Sequence, residues 1–317
     1  MKKIVSVCII GGNYGLKVLL PAITGIKNVI VKAVAVKNVR SNQKVILYYS
    51  WKKMIKECKP DLVLVAVPPK LQSNILSYLI NNNVNFLAQK PLTYNFNDAK
   101  KILHKFNKKN IKAAVDLNFL KIPAISKYKK LLKKYVGLKS SIEIKWLFKS
   151  GTLKEKKSWK NIIKDGGGSY LNFGFHLISL IIYLFGDIKY LKKYNRKNKV
   201  DYLKGETKNG QSLKIKFSND FISKNIFSIK STTTKKKYLV LENRSANYHG
   251  NFIIYNKNNF KKKNIIFKDI SQNSNNSRIV CSRLVIKDLI KFFYKKNYSL
   301  FNDLEHAVKV HQIISNI

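Results

Sequence analysis

An apolar, β-branched run, Ile4 to Ile10, runs straight into Gly11-Gly12-Asn13-Tyr14-Gly15 and then into a helical pattern that reaches Ile26. Few other features constrain the fold as strongly. A buried-type strand that breaks at glycines and turns into a helix is the first half of a β-α-β unit. The alternation then continues. Val29–Val36 reads as a strand, Trp51–Cys58 as a short helix, and Asp61–Val67 as a buried strand stopped by Pro68-Pro69. Leu71–Ile80 reads as a helix, Val84–Ala88 as a strand, Asn97–Phe106 as a helix and Ile111–Leu117 as a strand. Short strands alternating with helices predict a parallel sheet covered on both faces.

Beyond about residue 120 the pattern changes. Ile122–Tyr135 is a lysine-rich helix, Ser141–Phe148 alternates with a period of two, and Ser169–Phe185 is a strongly apolar helix that follows Asp165-Gly166-Gly167-Gly168. From Ile188 to Phe267 strand-like runs are split by Lys/Asn-rich turns, which predicts a largely antiparallel sheet. Ser271–Ser277 reads as a loop, and helices are expected over Val280–Tyr294 and Asp303–Ile314. The chain therefore divides into an α/β domain over 1–118, with the strand–turn–helix of a dinucleotide-binding fold, and an α+β domain over 119–317.

Composition removes several classes of function. Three widely spaced cysteines (Cys8, Cys58, Cys281) and five histidines form neither a disulfide framework nor a metal cluster, so no metal site is expected. The clean apolar run Leu177–Phe185 is much shorter than the roughly 20 residues that cross a bilayer, and no membrane association is expected. No small-residue cleavage site follows Ile4–Ile10, so a secretory leader is set aside and a cytoplasmic protein is expected. The 62 basic against 16 acidic residues give a net charge of +46. Only five of the 62 are arginine, and the lysines are scattered among Asn and Ile throughout. Lys, Asn and Ile are the residues of AT-rich codons, so compositional drift accounts for the charge and no specific nucleic-acid partner is expected.

Glycines between the first strand and helix let the backbone approach a pyrophosphate seated at the helix N-terminus. Two registers fit Gly11, Gly12, Asn13, Tyr14 and Gly15. In one, Gly12 is the second glycine of G-x-G-x-x-G and Ile10 occupies the first position; in the other, Gly11 is the first glycine and the turn is one residue short. The end of the second strand, Val36-Lys37-Asn38-Val39-Arg40-Ser41, has no carboxylate for a ribose hydroxyl. Lys37 and Arg40 suit a 2′-phosphate instead, so NADP is preferred to NAD. Lys90, in Gln89-Lys90-Pro91, follows the end of a parallel strand, where open α/β sheets place ligands. Asn172 and His176 stand at i and i+4 on the apolar helix and so share a face.

In order and spacing these segments resemble the Gfo/Idh/MocA family of oxidoreductases, which includes glucose–fructose oxidoreductase and inositol dehydrogenase. The resemblance rests on the glycine turn, Pro68-Pro69, Gln89-Lys90-Pro91 against the family's Glu-Lys-Pro, Gly166–His176 against its GGG…D-x-G-x-H helix, and Asp303–His311 against its closing helix. It implies an N-terminal Rossmann parallel sheet and a C-terminal α/β domain with a large, mainly antiparallel open sheet. It also implies NAD(P)-dependent hydride transfer to or from a hydroxyl or ketone of a sugar, polyol or nucleotide-sugar, and a homo-oligomer built on the open sheet face. By the same resemblance Lys90, His176 and Asn172 surround the reacting carbon, with Lys90 facing His176 across an interdomain cleft, and Pro68, Gln89 and Lys90 join the cofactor contacts. Asn172 stands where the family has Asp and Gln89 where it has Glu. The alternative is a Rossmann protein that binds nucleotide or sugar without turnover.

Overall fold

The computed structural model describes residues 4–37, 45–135, 140–155, 158–232, 237–258, 263–269, 274–294 and 303–317. Two compact units share the chain: residues 1–118, 163–167 and 278–311 form the first, and residues 119–162, 168–277 and 312–317 the second. The first unit is thus discontinuous, with residues 278–311 returning to it before the chain ends in the second.

In the first unit β1 (Val5–Ile10) leads into α1 (Leu20–Thr24), and β2 (Val29–Ala35) and β3 (Leu47–Tyr48) follow. Then come α2 (Trp51–Cys58), β4 (Leu62–Val65), α3 (Pro69–Asn81), β5 (Asn85–Ala88), α4 (Phe96–Asn107) and β6 (Ala113–Val115). The strand order is β3-β2-β1-β4-β5-β6, and every pairing is parallel. This is the order of dinucleotide-binding sheets, in which ligands sit beyond the carboxyl ends of the strands where the order reverses. Strands β1, β4 and β6 are buried at every position, as expected when helices cover both faces. Local chemistry sets the helix starts. Ser50 accepts from the Lys53 N–H at 3.3 Å to begin α2, and Asn95 accepts from the Asp98 N–H at 2.8 Å to begin α4.

Two details depart from the expectation. Strand β3 was not foreseen, because two residues carry no readable period. The helix after the glycine turn also opens with a π turn, Gly15–Leu19, before α1. The change of register falls just before Pro21, which has no N–H for an i−4 bond.

The second unit opens with α5 (Pro123–Tyr135) and β7 (Ser141–Leu147), and its apolar helix is α6 (Phe175–Phe185). Strands β8 (Ile188–Lys197), β9 (Val200–Thr207), β10 (Ser212–Ser218), β11 (Ile226–Thr232), β12 (Lys237–Asn243), β13 (Ile253–Asn258) and β14 (Asn264–Lys268) follow. The eight strands run β14-β13-β12-β11-β7-β10-β9-β8. Only the β7–β10 pairing is parallel. Burial alternates along β10 and β11, which gives one packed face and one open face. The Tyr128 hydroxyl pins α5 to the packed face by donating to the Leu239 carbonyl at 3.1 Å, with the Ser231 hydroxyl 3.0 Å away.

The apolar helix also differs from expectation, since the π turn Tyr170–Gly174 precedes α6. The helical stretch 163–185 has the length and composition to cross a bilayer, more than the run 177–185 suggested. Within α6, Phe175–Ile182 are all buried, as in a core helix.

The last two helices are α7 (Ser274–Tyr294) and α8 (Leu304–Ser315). Residues 274–277, expected as loop, form the first turn of α7, a place where Ser and Asn are well tolerated. Val285, Ile286 and Leu289 of α7 pack into the core of the parallel sheet with Val7, Leu19 and Leu64. On the same helix Arg283 donates to the carbonyls of Ala22 and Pro21, both at 3.0 Å, and so caps the end of α1.

Candidate active site

The glycine turn resolves its own register. Gly11 has φ +128°, and a Cβ there would lie 2.2 Å from the Ala66 carbonyl oxygen. Its N–H goes to the Ala35 carbonyl at 2.9 Å. A Cβ at Gly15 would lie 2.9 Å from Ile9 Cγ2 of β1. Gly11 is therefore the first glycine and Gly15 the one that admits the helix to the strand, so the turn is one residue short. Gly12 is half-buried and Asn13 exposed between them. No side chain caps the helix; the Lys17 N–H donates to the Asn13 carbonyl at 3.0 Å, and the N–H groups that precede it have no acceptor within the helix. That is a backbone anion site, and it fits a pyrophosphate.

Beside the turn, at the end of β6, lies a buried carboxylate that the sequence reading passed over. Asp116 Oδ2 accepts from Gln89 Nε2 at 2.5 Å and from the Tyr14 and Ser282 hydroxyls, each at 3.1 Å. Asn118 Nδ2 donates to the Tyr14 hydroxyl at 2.9 Å and to Ser282 Oγ at 3.3 Å. Burial pushes the Asp116 carboxyl above its ordinary range, while the donors Gln89, Ser282 and Tyr14 and the charge of Lys90 pull the other way. Burial, and then the neighbouring Asp116, hold the Tyr14 hydroxyl well above its usual value. The other carboxylate oxygen, Oδ1, is buried without a hydrogen-bond partner. An orphaned acceptor at the carboxyl edge of this sheet fits a ligand that brings an N–H or O–H.

The loop after β5 is held from three sides. Gln72, a fully buried residue of α3, points its amide nitrogen at the carbonyls of Gln89, Pro91 and Leu92 at 2.7, 3.0 and 3.0 Å. The Thr93 N–H donates to His311 Nε2 of α8 at 3.4 Å. Gly166, with φ +88°, closes against Pro69 and Tyr94; a Cβ there would be 2.8 Å from both. This close approach is the use of the first residue of the triple glycine. The Lys90–Pro91 bond in this loop is cis. Lys90 and Gln89 are half-buried, whereas Pro68 and Lys37 are exposed. Arg40 lies outside the described residues.

In the second unit Asn172 and His176 are both buried. Asn172 lies in the π turn, so α-helical spacing does not by itself set their common face. The His176 ring stacks on Phe119, with centroids 4.2 Å apart, and His249 meets Phe119 edge-on at 4.9 Å. His249 stands on the loop after β12, which Asn243 secures by donating to the carbonyls of Asn247 and Gly250 at 2.7 and 2.8 Å. Trp146 of β7 underlies the cluster, 5.7 Å from Phe119 and 5.2 Å from Phe148. Sequence reasoning missed Asp116, Gln72, Ser282, His311, Phe119 and His249. Only Asp116, at a strand end beside Asn118, stood where a position rule could have found it. Among the described residues no group of His, Cys, Asp and Glu is arranged to hold a metal.

Comparison with known proteins agrees with this architecture. Residues 5–117 match the oxidoreductase family with an NAD-binding Rossmann fold. An uncharacterized oxidoreductase of Schizosaccharomyces pombe is 26% identical over 146 residues, which is 44% of this chain and 38% of that protein. The chain spans less than half the length of the curated relatives it matches. The WlbA dehydrogenase of Bordetella pertussis, solved with NADH and UDP-GlcNAcA, superposes with a TM-score of 0.79 at 11% identity, covering 100% of this chain and 95% of that one. Levoglucosan dehydrogenase, solved with NADH and levoglucosan, gives 0.80 at 14% identity, with 99% and 96% covered. At such identities these likenesses establish the fold.

Proposed function

We propose that this chain, which belongs to the Gfo/Idh/MocA oxidoreductases and whose residues 5–117 match their NAD-binding fold, oxidises a hydroxyl or reduces a ketone on a sugar, polyol or nucleotide-sugar. The observation that carries this reading is the lysine loop. Lys90 follows β5 at the carboxyl edge of the parallel sheet, and Gln72 braces the loop through three carbonyls. The similar dehydrogenases solved with NADH and UDP-GlcNAcA or levoglucosan support the substrate class.

The turn Gly11–Gly15, with Pro68 and Gln89, would hold the dinucleotide, and Lys37 and Arg40 would favour its 2′-phosphate form. Bound there, NAD(P) would accept or supply the hydride. The chain's own part is proton transfer and orientation. A hydroxyl carbon gives up hydride only as its oxygen loses a proton, so a base must reach that oxygen. Lys90 is the proposed base, His176 the second candidate, and Asn172 orients a substrate hydroxyl by hydrogen bonding. Asn172 cannot take a proton, and this favours a second reading, ligand binding without turnover. Following nicotinamide absorbance across a panel of sugars, polyols and nucleotide-sugars separates the two. Turnover of any one supports the enzyme, whereas calorimetric cofactor binding with no turnover of any supports the second reading.

The open face of the eight-stranded sheet, which exposes Tyr190, Tyr194 and Ile265, is proposed to bury against a second copy of the chain. A cytoplasmic location, where Cys8, Cys58 and Cys281 would stay reduced, belongs to the same proposal.

A further inference from the structure

Helix α7 joins the first unit from late in the sequence, yet it grips the helical stretch Gly15–Thr24 at both ends. At the C-terminal end Arg283 donates to the Pro21 and Ala22 carbonyls, both at 3.0 Å. Gly25 leaves room for it, since a Cβ there would collide with the guanidinium. At the N-terminal end the buried Ser282 hydroxyl lies 3.2 Å from that of Tyr14, the residue before Gly15. Further along α7, Val285, Ile286 and Leu289 share one core with Leu16 and Leu19, and Tyr14 packs against it.

The polar tie has a fixed direction. Asn118 Nδ2 can only donate, and it does so to the Tyr14 hydroxyl at 2.9 Å and to Ser282 Oγ at 3.3 Å. Each hydroxyl is left to donate in turn, and both reach Asp116 Oδ2 at 3.1 Å. That oxygen accepts whether the carboxyl is ionised or carries a proton on Oδ1, so the tie does not depend on its charge. Burial, and then Asp116, hold the Tyr14 hydroxyl well above its usual value, which keeps it a donor. Of the turn's two side chains, Asn13 is exposed and Tyr14 is the one tied down.

We propose that Tyr14 and Ser282 are positioning residues for the cofactor: the hydroxyl pair fastens the glycine turn to α7 and so aims the turn's backbone N–H groups at the pyrophosphate. A turn already ordered in the folded chain loses little freedom when the anion arrives, and this raises affinity. The inference rests on the reading of the turn as the dinucleotide site, and it adds α7 to the parts that build that site.

Calorimetric titration of the full chain with NADH and with NADPH tests it. Tyr14→Phe removes one oxygen and should weaken both cofactors by about tenfold, the worth of one hydrogen bond lost from the tie. Ser282→Ala should do the same. The double variant should bind little more weakly than either single one, because both changes cut the same tie. The ratio of NADH to NADPH affinity should stay fixed, since the pyrophosphate is common to both. A ratio that shifts with the loss would show a general loosening of the unit, and the proposal fails. It fails equally if the folded single variants bind within about twofold of wild type, or if their losses multiply in the double variant. Circular dichroism checks each fold, and if Tyr14→Phe does not fold, Ser282→Ala decides alone. A wild-type chain that binds neither cofactor overturns the dinucleotide reading along with the proposal. Wild-type binding that the variants leave unchanged overturns the positioning role alone.

Discussion

At the end of β6 a carboxylate is buried with three donors on one oxygen and none on the other. On β7 the Trp146 indole is buried among aromatic rings, and its nitrogen has no hydrogen-bond partner. The two orphans differ in kind. A buried carboxyl acts on every charge near it, so its surroundings must be specified group by group: here an amide and two hydroxyls. A buried indole N–H carries no net charge, and leaving it unpaired costs about 1–3 kcal/mol, which the area of so large a ring offsets. The first region is organised by polarity and the second by shape.

The sharpest way to break that comparison is to remove the candidate bases one at a time. Lys90→Ala should lower kcat by roughly 10²–10⁴-fold, with cofactor affinity by calorimetry little changed. His176→Phe keeps the stack on Phe119 and should lower kcat less. If His176→Phe is the more damaging, the proton is handled in the aromatic region and the contrast drawn here is reversed.

In the second region shape should dominate stability. Trp146→Ala empties the centre of a cluster that includes Phe148, Phe173 and Phe217 and should cost about 3–5 kcal/mol. Trp146→Phe also removes the orphaned N–H and should cost much less. Urea denaturation followed by circular dichroism measures both. Equal losses would show that the indole nitrogen has a partner in solution and that the second region, too, depends on polarity.

The two regions were not equally legible in the sequence. Periodicity reports the neighbours that a residue meets along its own element. That sufficed for β1, β4 and the presence of the apolar helix, but it left two registers open for Gly11 and Gly15, and only the close approaches to Ala66 and Ile9 decide between them. It could not show that Asp116 meets Tyr14, 102 residues away, or Ser282, 166 residues away. Nor could it show that Gln72 braces the loop that carries Lys90, through the carbonyls of Gln89, Pro91 and Leu92, because a glutamine on a helix reads as surface until its carbonyl partners are known. His249 was hidden for a related reason. It lies in a loop shaped by Asn243, with no period to betray which ring it meets. Local π turns at both expected motifs were invisible as well, since they depend on hydrogen-bond register and not on residue type.

His311 offers a smaller effect, confined to the first region. Burial pushes its imidazole down to about 3 from an ordinary 6.5, and its Nε2 accepts from the Thr93 N–H, which requires the neutral ring. Between those two values the unfolded chain binds a proton that the folded chain refuses. The stabilising contribution is therefore complete above about pH 6.5 and is lost as pH falls, by about 1.4 kcal/mol per pH unit. His311→Gln should flatten the decline of the urea midpoint between pH 7 and 5. A decline of unchanged slope would show that His311 takes up its proton in the folded protein as readily as in the unfolded chain.

The smallest effect is expected where the first region meets solvent. Lys37 stands exposed just past β2, far from the conditions that give Asp116 its reach, and water screens what it can contribute. Its pairing with a phosphate would still be charge-assisted, and Arg40, two residues beyond Asn38, would share the load. We expect NADPH to bind more tightly than NADH, and Lys37→Ala to narrow the gap by less than about tenfold, or 1.4 kcal/mol. Raising the salt should narrow it in the same direction, because an exposed pair is screened within about 10 Å at 0.1 M ionic strength. Calorimetric titration with both cofactors at two salt concentrations measures all of this. Equal affinities in the wild type would remove the 2′-phosphate assignment and leave the glycine turn and the Asp116 network as they stand. A preference that survives high salt but disappears in Lys37→Ala would show that the phosphate is held in a less solvated place than Lys37 occupies here.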